Sequence, residues 1–167
     1  FAKIIHANSS DSIAFIHSAS YGIATVANNI NFSQGDEIVI LKDQLPSNYY
    51  SWKRKADESS AIIKIVDGSE GSRRGKDWNE NILNAINENT KLVAISHVHW
   101  AEGIIFDLKA IREKTNEHDA WLVIDGTQSV GAFDINVSEI KPDALICAAY
   151  KWLMGPYGTA MAYYGPR

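Results

Sequence analysis

Cysteine is almost absent: Cys147 is the only one in 167 residues. That excludes an internal disulfide framework and a thiolate-built metal cluster. In its apolar run, "ALICAA", a packed thiol is the plain reading. An excess of positive charge is missing too. With a formal net charge of −4 there is no electrostatic reason to expect nucleic acid or a membrane surface as a partner. No apolar run reaches bilayer-spanning length and no signal peptide is visible, so a cytoplasmic location is the default expectation. The chain is also poor in the features of disorder: 46% of it is hydrophobic and only four residues are proline. Its length suits one domain with a sizeable core. The opening "FAKIIHA" reads like the tail of a helix, and the chain stops at "YYGPR" just after a strand-like run. It is expected to be a piece of something longer.

What is present is a regular alternation. Strand-like runs fall at 13–18, 37–42, 61–66, 91–97, 121–126, 144–149 and 159–164. Most are near-continuous apolar runs, the pattern of strands covered on both faces in parallel α/β sheets. Helical signals lie between them. Residues 19–30 follow the first strand directly, and Pro46 suits the first turn of a helix running into "YYSWKRKA". Asp77 with Glu80 reads as a capping box, with Trp78, Ile82 and Ile86 at helical spacing. Asp107 can cap the next helix while Phe106 staples onto Ile111. Polar, glycine-rich residues 66–78 read as a loop. The pattern predicts an α/β fold with an open, mostly parallel sheet. The short "GPYG" link suggests that the last strand is antiparallel.

In such sheets ligands bind beyond the carboxyl ends of the strands. After the first strand comes "SASYG", where Ser18 and Ser20 offer hydroxyls beside a helix start; this outlines a phosphate site, or else a plain cap. Asp125 closes "WLVID", where a carboxylate is costly unless it meets a cation or several donors; an N-cap is the alternative. Lys151 ends the next strand, 26 residues on, among Tyr150, Trp152, Leu153 and Met154. Those flanks suggest a buried amine rather than a solvated one. A phosphate cradle, a buried carboxylate and a buried amine together match the needs of pyridoxal 5'-phosphate. That cofactor has a phosphate tail, a pyridine nitrogen that must stay protonated, and an aldehyde that condenses with lysine.

The stretches "SHVHWAEGIIFDLKAI", "WLVIDGTQSVGAFDINV" and "PDALICAAYKWLMGPYGTAMAYY", with "GDEIVIL" and "LPSNYYSW" before them, carry a resemblance over nearly the whole chain. The sequence resembles the class V aminotransferase group of pyridoxal-phosphate enzymes of fold type I. That group includes cysteine desulfurases, kynureninases and isopenicillin-N-epimerase-like proteins. The resemblance implies a three-layer α/β/α large domain with a mostly parallel seven-stranded sheet. Residues 1–167 would form that domain, without the N-terminal segment and C-terminal small domain of relatives. It implies Lys151 as the catalytic lysine that forms the internal aldimine, and Asp125 as the pyridinium partner. Gln128 would contact the phenolic oxygen. Ala19, Ser20 and Tyr150 would serve the phosphate, with Ser18 turning the cofactor-binding loop, and His97 would face the cofactor pocket. Leu45 falls where relatives stack an aromatic or histidine ring, and would give dispersion contact only. Trp100, Ala148 and Tyr157 also depart from the family pattern. The substrate-holding arginine of relatives comes from the small domain, and nothing marks Arg167 as that residue.

The resemblance further implies an amino-acid substrate and a homodimer. Three other readings stand beside the enzyme. A truncated, non-catalytic module could bind cofactor or phosphate; the parent could be a desulfurase- or kynureninase-type lyase; and a nucleotide-binding domain is the weakest, since no G-x-G-x-x-G follows the first strand. His97 and His99 lie two apart, but no third metal ligand has convincing spacing and His118 sits on a helix end, so no metal site is expected. Tyr49, Tyr50, Trp52 and Trp121 have no basic stripe beside them and read as core or interface.

Overall fold

The computed structural model describes residues 1–166; Arg167 lies outside the described residues. Seven strands form one sheet: β1 (Ile13–Ile16), β2 (Glu37–Leu41), β3 (Ile62–Val66), β4 (Thr90–Ser96), β5 (Trp121–Asp125), β6 (Ala144–Ala148) and β7 (Ala160–Tyr164). Their spatial order is β1-β7-β6-β5-β4-β2-β3. Neighbours among β3, β2, β4, β5 and β6 pair in parallel, while β7 runs antiparallel to both β6 and β1. The reversed final strand suggested by the short "GPYG" link is therefore present. Five helices connect the strands: α1 (Ala19–Asn29), α2 (Tyr50–Ser59), α3 (Arg74–Ala85), α4 (Leu108–Glu117) and the short α5 (Val137–Ile140).

Strand alternation sorts the core into two halves. Ile38 and Ile40 of β2 join Ile23, Val26 and Ala27 of α1 and Trp52 of α2 on one face. Val39 and Leu41 join Trp78 and Ile82 of α3, Ile111 of α4 and Val137 of α5 on the other. Central strands are thus buried on both sides, which is why their runs are continuously apolar. Helix α1 lies very close to the sheet. A Cβ on Gly22 would come 2.7 Å from Ile16 Cδ1 and 2.9 Å from Ile146 Cγ2, so only glycine lets it settle there. Among the described residues no helix is long and apolar enough to cross a membrane.

Capping places the helices. Ser18 Oγ accepts from the Tyr21 N–H (3.1 Å) at the start of α1. Asp107 accepts from the N–H groups of Lys109 (3.1 Å) and Ala110 (3.0 Å), and its neighbours Phe106 and Ile111 share one core cluster. The start of α3 differs from the capping-box reading. It begins at Arg74, inside the span 66–78 expected to be loop, and Asp77 lies within its first turn. Asp77 accepts from the Ser69 hydroxyl and pairs with Arg73 instead. The physical reason is Arg74. Its guanidinium donates to Asp67 (2.7 Å), to the Gly68 carbonyl (2.6 Å) and to Glu102 (2.8 Å), and it covers the Trp78 ring. These contacts to distant loops anchor the helix earlier than its own sequence pattern does.

Candidate active site at the carboxyl edge of the sheet

Asp125 ends β5 and is buried, with 3% of its surface exposed. One carboxyl oxygen accepts from the Thr127 N–H at 3.0 Å. Burial pushes its carboxyl above the ordinary aspartate value. The Thr127 hydroxyl, the Thr127 N–H and the positive charge of Lys151 pull it back. Asp125 and Lys151 therefore sense one another across the ends of β5 and β6, which are paired neighbours. Thr127 ties the two ends together: its Oγ1 accepts from the buried Ala148 N–H at 3.0 Å.

Lys151 itself is partly exposed, which corrects the expectation of a buried amine. The chain is buried through Ala149 and turns outward at Tyr150; Trp152 and Met154 are 54% and 90% exposed. The reason is that β6 ends at Ala148, and the segment that follows leaves the sheet edge as a turn. Two contacts hold that turn. The Gly155 N–H donates to the Ala149 carbonyl (2.8 Å), and Gly131, at φ +96°, packs where a Cβ would meet the Trp152 carbonyl at 2.8 Å. The 128–133 loop after β5 is thereby fitted to the lysine-bearing turn.

A hollow of about 250 Å³ opens at the end of β6; neither Asp125 nor Lys151 lines it. It is lined by Ser18, Ala19 and Ser20 at the start of α1, by Ala148 and Tyr150, and by Thr159 at the foot of β7. The first N–H groups of a helix have no partner within it and form a natural seat for an anion. The expected phosphate residues are thus brought together, and Ser47 from the loop after β2 joins them. Larger hollows of about 310 and 380 Å³, around Arg112 and Lys141, share no residue with it.

The remaining expected residues sit on the same edge with looser ties. The His97 N–H donates to the Asp125 carbonyl (3.2 Å), and its ring meets Phe133 edge-on at 6.1 Å. Burial holds its imidazole below the usual range, hence neutral at pH 7. Gln128 and Leu45 are half-buried in the loops after β5 and β2 and do not line the hollow. His99 faces different neighbours from His97: it packs on Trp78 at 4.9 Å, and its Nε2 lies 3.1 Å from the Lys42 carbonyl. Cys147 is fully buried; burial and then the nearby Asp125 charge push its thiol up to about 12. Such a thiol stays protonated and unreactive.

Sequence reasoning missed Thr127. Thr127 had a signal, because a donor two residues after a strand-ending aspartate forms a local turn on its carboxylate.

The family model described as Aminotransferase class-V matches residues 1–166. The chain belongs to the class-V aminotransferase family. A probable cysteine desulfurase of Methanothermobacter thermautotrophicus is 31% identical over 155 residues, 93% of this chain and 38% of that protein. One from Pyrococcus abyssi is 32% identical over 156 residues, 92% of this chain and 38% of its own length. The apo structure of a cysteine desulfurase from Thermococcus onnurineus NA1 superposes with a TM-score of 0.83 at 28% identity, covering 98% of this chain and 40% of that one. This class-V chain thus spans about two-fifths of the length of the relatives it matches.

Proposed function

We propose that this class-V chain binds pyridoxal 5'-phosphate at the carboxyl edge of its sheet and serves chemistry at the α-carbon of an amino acid. It would do so as the large domain of a longer enzyme. The observation that carries this reading is the buried Asp125 within electrostatic reach of Lys151, beside a hollow built on a helix start. The residues fit the group: a buried carboxylate short of charge calls for a cation, and the amino end of α1 calls for an anion.

When bound, pyridoxal phosphate supplies a protonated pyridine ring that draws electrons from the substrate's α-carbon and an aldehyde that condenses with amines. The chain's own residues would do the rest. Asp125 holds the proton on the ring nitrogen. Ser18, Ala19, Ser20 and Tyr150 seat the phosphate. Gln128 and His97 would contact the cofactor, and Leu45 would add dispersion contact only. Lys151 would hold the cofactor through Nζ and would carry a proton to or from the substrate's α-carbon. The partial exposure of Lys151 supports this second role, since a substrate amine must reach the same place.

The lyase reading draws on the desulfurase relatives. A desulfurase would need a reactive thiol, and Cys147 does not supply one: it is buried, with its thiol pushed up to about 12. Homodimer formation is supported by the exposed Trp152, Met154 and Tyr157, which lie in the lysine turn and would be covered by a second surface.

The test is direct. Incubation with pyridoxal phosphate should give a yellow protein that borohydride fixes on Lys151, located by mass spectrometry. Lys151→Ala should lose both colour and adduct. A Lys151→Ala protein that coloured as well as the parent would overturn the assignment.

A further inference from the structure

Ser96 is the last residue of β4 and only 9% exposed, yet its hydroxyl has no hydrogen-bond partner among the described residues. Its neighbour across the ladder is Asp125, its register partner in β5. Register partners in parallel strands stand on the same face, with the strands about 4.8 Å apart. The core confirms which face. Ala94 and Val123, two residues earlier in each strand, both pack toward α1 and α2. Ala148, which lines the anion hollow, follows Ile146 on that side. Ser96, Asp125 and the hollow therefore share one side of the sheet.

A buried hydroxyl without a partner is costly, and such groups are retained where something uses them. An ionised carboxylate has about four acceptor positions, and Thr127 serves Asp125 from its own turn only. The neighbouring His97 is held neutral by burial, so it brings no rival positive charge to the carboxylate.

We propose that Ser96 is a positioning residue for Asp125: its hydroxyl, one strand over on the same face, donates to the carboxylate when Asp125 pairs with a protonated ring nitrogen. This rests on the pyridoxal-phosphate reading above. Ser96 acts through Asp125 and touches neither the phosphate nor the amine.

The experiment compares two probes on the purified protein: pyridoxal phosphate, and its analogue with carbon in place of the ring nitrogen. Affinity is read from the absorbance of the Lys151-bound species. Loss of one hydrogen bond to a charged group should weaken pyridoxal phosphate about tenfold or more in Ser96→Ala, and leave the carbon analogue within about twofold. Ser96→Thr, which keeps the hydroxyl, should restore affinity for pyridoxal phosphate. Circular dichroism checks that each variant is folded; Ser96→Cys, close in size and a weak donor, should fall between and serves if Ser96→Ala does not fold. Equal losses for both probes would show a merely structural serine, and no loss for either would show no role; each overturns the proposal while the cofactor reading stands. A parent protein that forms no Lys151 adduct with either probe would overturn both.

Discussion

Replacing Thr127 by valine tests whether one hydroxyl joins the two halves of the site. The side chain is 2% exposed, and its Oγ1 accepts from the Ala148 N–H at 3.0 Å. Its hydroxyl and N–H also stabilise the Asp125 carboxylate. Valine matches threonine in shape but cannot accept, so the Ala148 N–H is left bare in a dry interior. One orphaned buried group costs about 1–3 kcal/mol, and a weakened charged hydrogen bond at Asp125 brings the total to about 2–4 kcal/mol. That is a large share of the roughly 5–15 kcal/mol that holds an ordinary domain folded. Thr127→Ser keeps the hydroxyl and removes one methyl, for about 1 kcal/mol. Urea unfolding at pH 7, followed by circular dichroism, should show the valine midpoint falling well below that of serine at an unchanged slope. A valine variant within about 0.5 kcal/mol of the parent, or a serine variant as damaged as valine, would refute the bridge.

Two further outcomes follow from the buried groups. Burial raises Asp125 above its unfolded value of 3.8, so between the two values the native state binds more protons than the unfolded one. Stability from this group is therefore lost as pH rises from 3.8 through the folded value. Asp125→Asn has no such proton to lose, so its stability relative to the parent should climb across that window and then level off; a difference independent of pH would contradict the assignment. Cys147, fully buried with its thiol pushed up to about 12, should ignore a thiol reagent at pH 8 until the protein is unfolded. Rapid native labelling would show that the strand around it opens.

Much of the architecture was legible because burial on both faces leaves a local trace. Six strands lie inside their apolar runs and β4 starts one residue before its run, at Thr90; no end differs by more than two residues, and Asp107 caps α4 as its spacing suggests. The family was legible too, and of the residues expected to serve the cofactor Ser18, Ala19, Ser20 and Tyr150 line the hollow. What was not legible depends on partners far away in sequence. Asp77 and Glu80 have capping-box spacing, yet the helix begins earlier because Arg74 reaches Asp67 and Glu102. Lys151 has aromatic neighbours in sequence that suggest a core, but the chain has already left the sheet there, and Trp152 and Met154 point to solvent. Ser96 ends an ordinary apolar strand, and only the β4–β5 register brings it beside a carboxylate.

Strand direction explains why distant segments share one edge. β6 and β1 are both antiparallel to β7, so they run the same way as each other and as β4 and β5. Their carboxyl ends, which carry Ser96, Asp125, Ala148 and the lead into Ser18, must then meet on one side. The reversal of β7 places its beginning on that side as well. Residues 149–159 can therefore leave and re-enter the sheet at a single edge, which the Ala149 N–H to Thr159 carbonyl bond (3.0 Å) closes. A parallel β7 would start at the far edge and need a crossover of a dozen residues or more, carrying the chain after Lys151 away from the site. The antiparallel strand thus does more than finish the sheet: it brings the turn after β6 back to the edge where Tyr150 and Thr159 meet the start of α1 around one hollow.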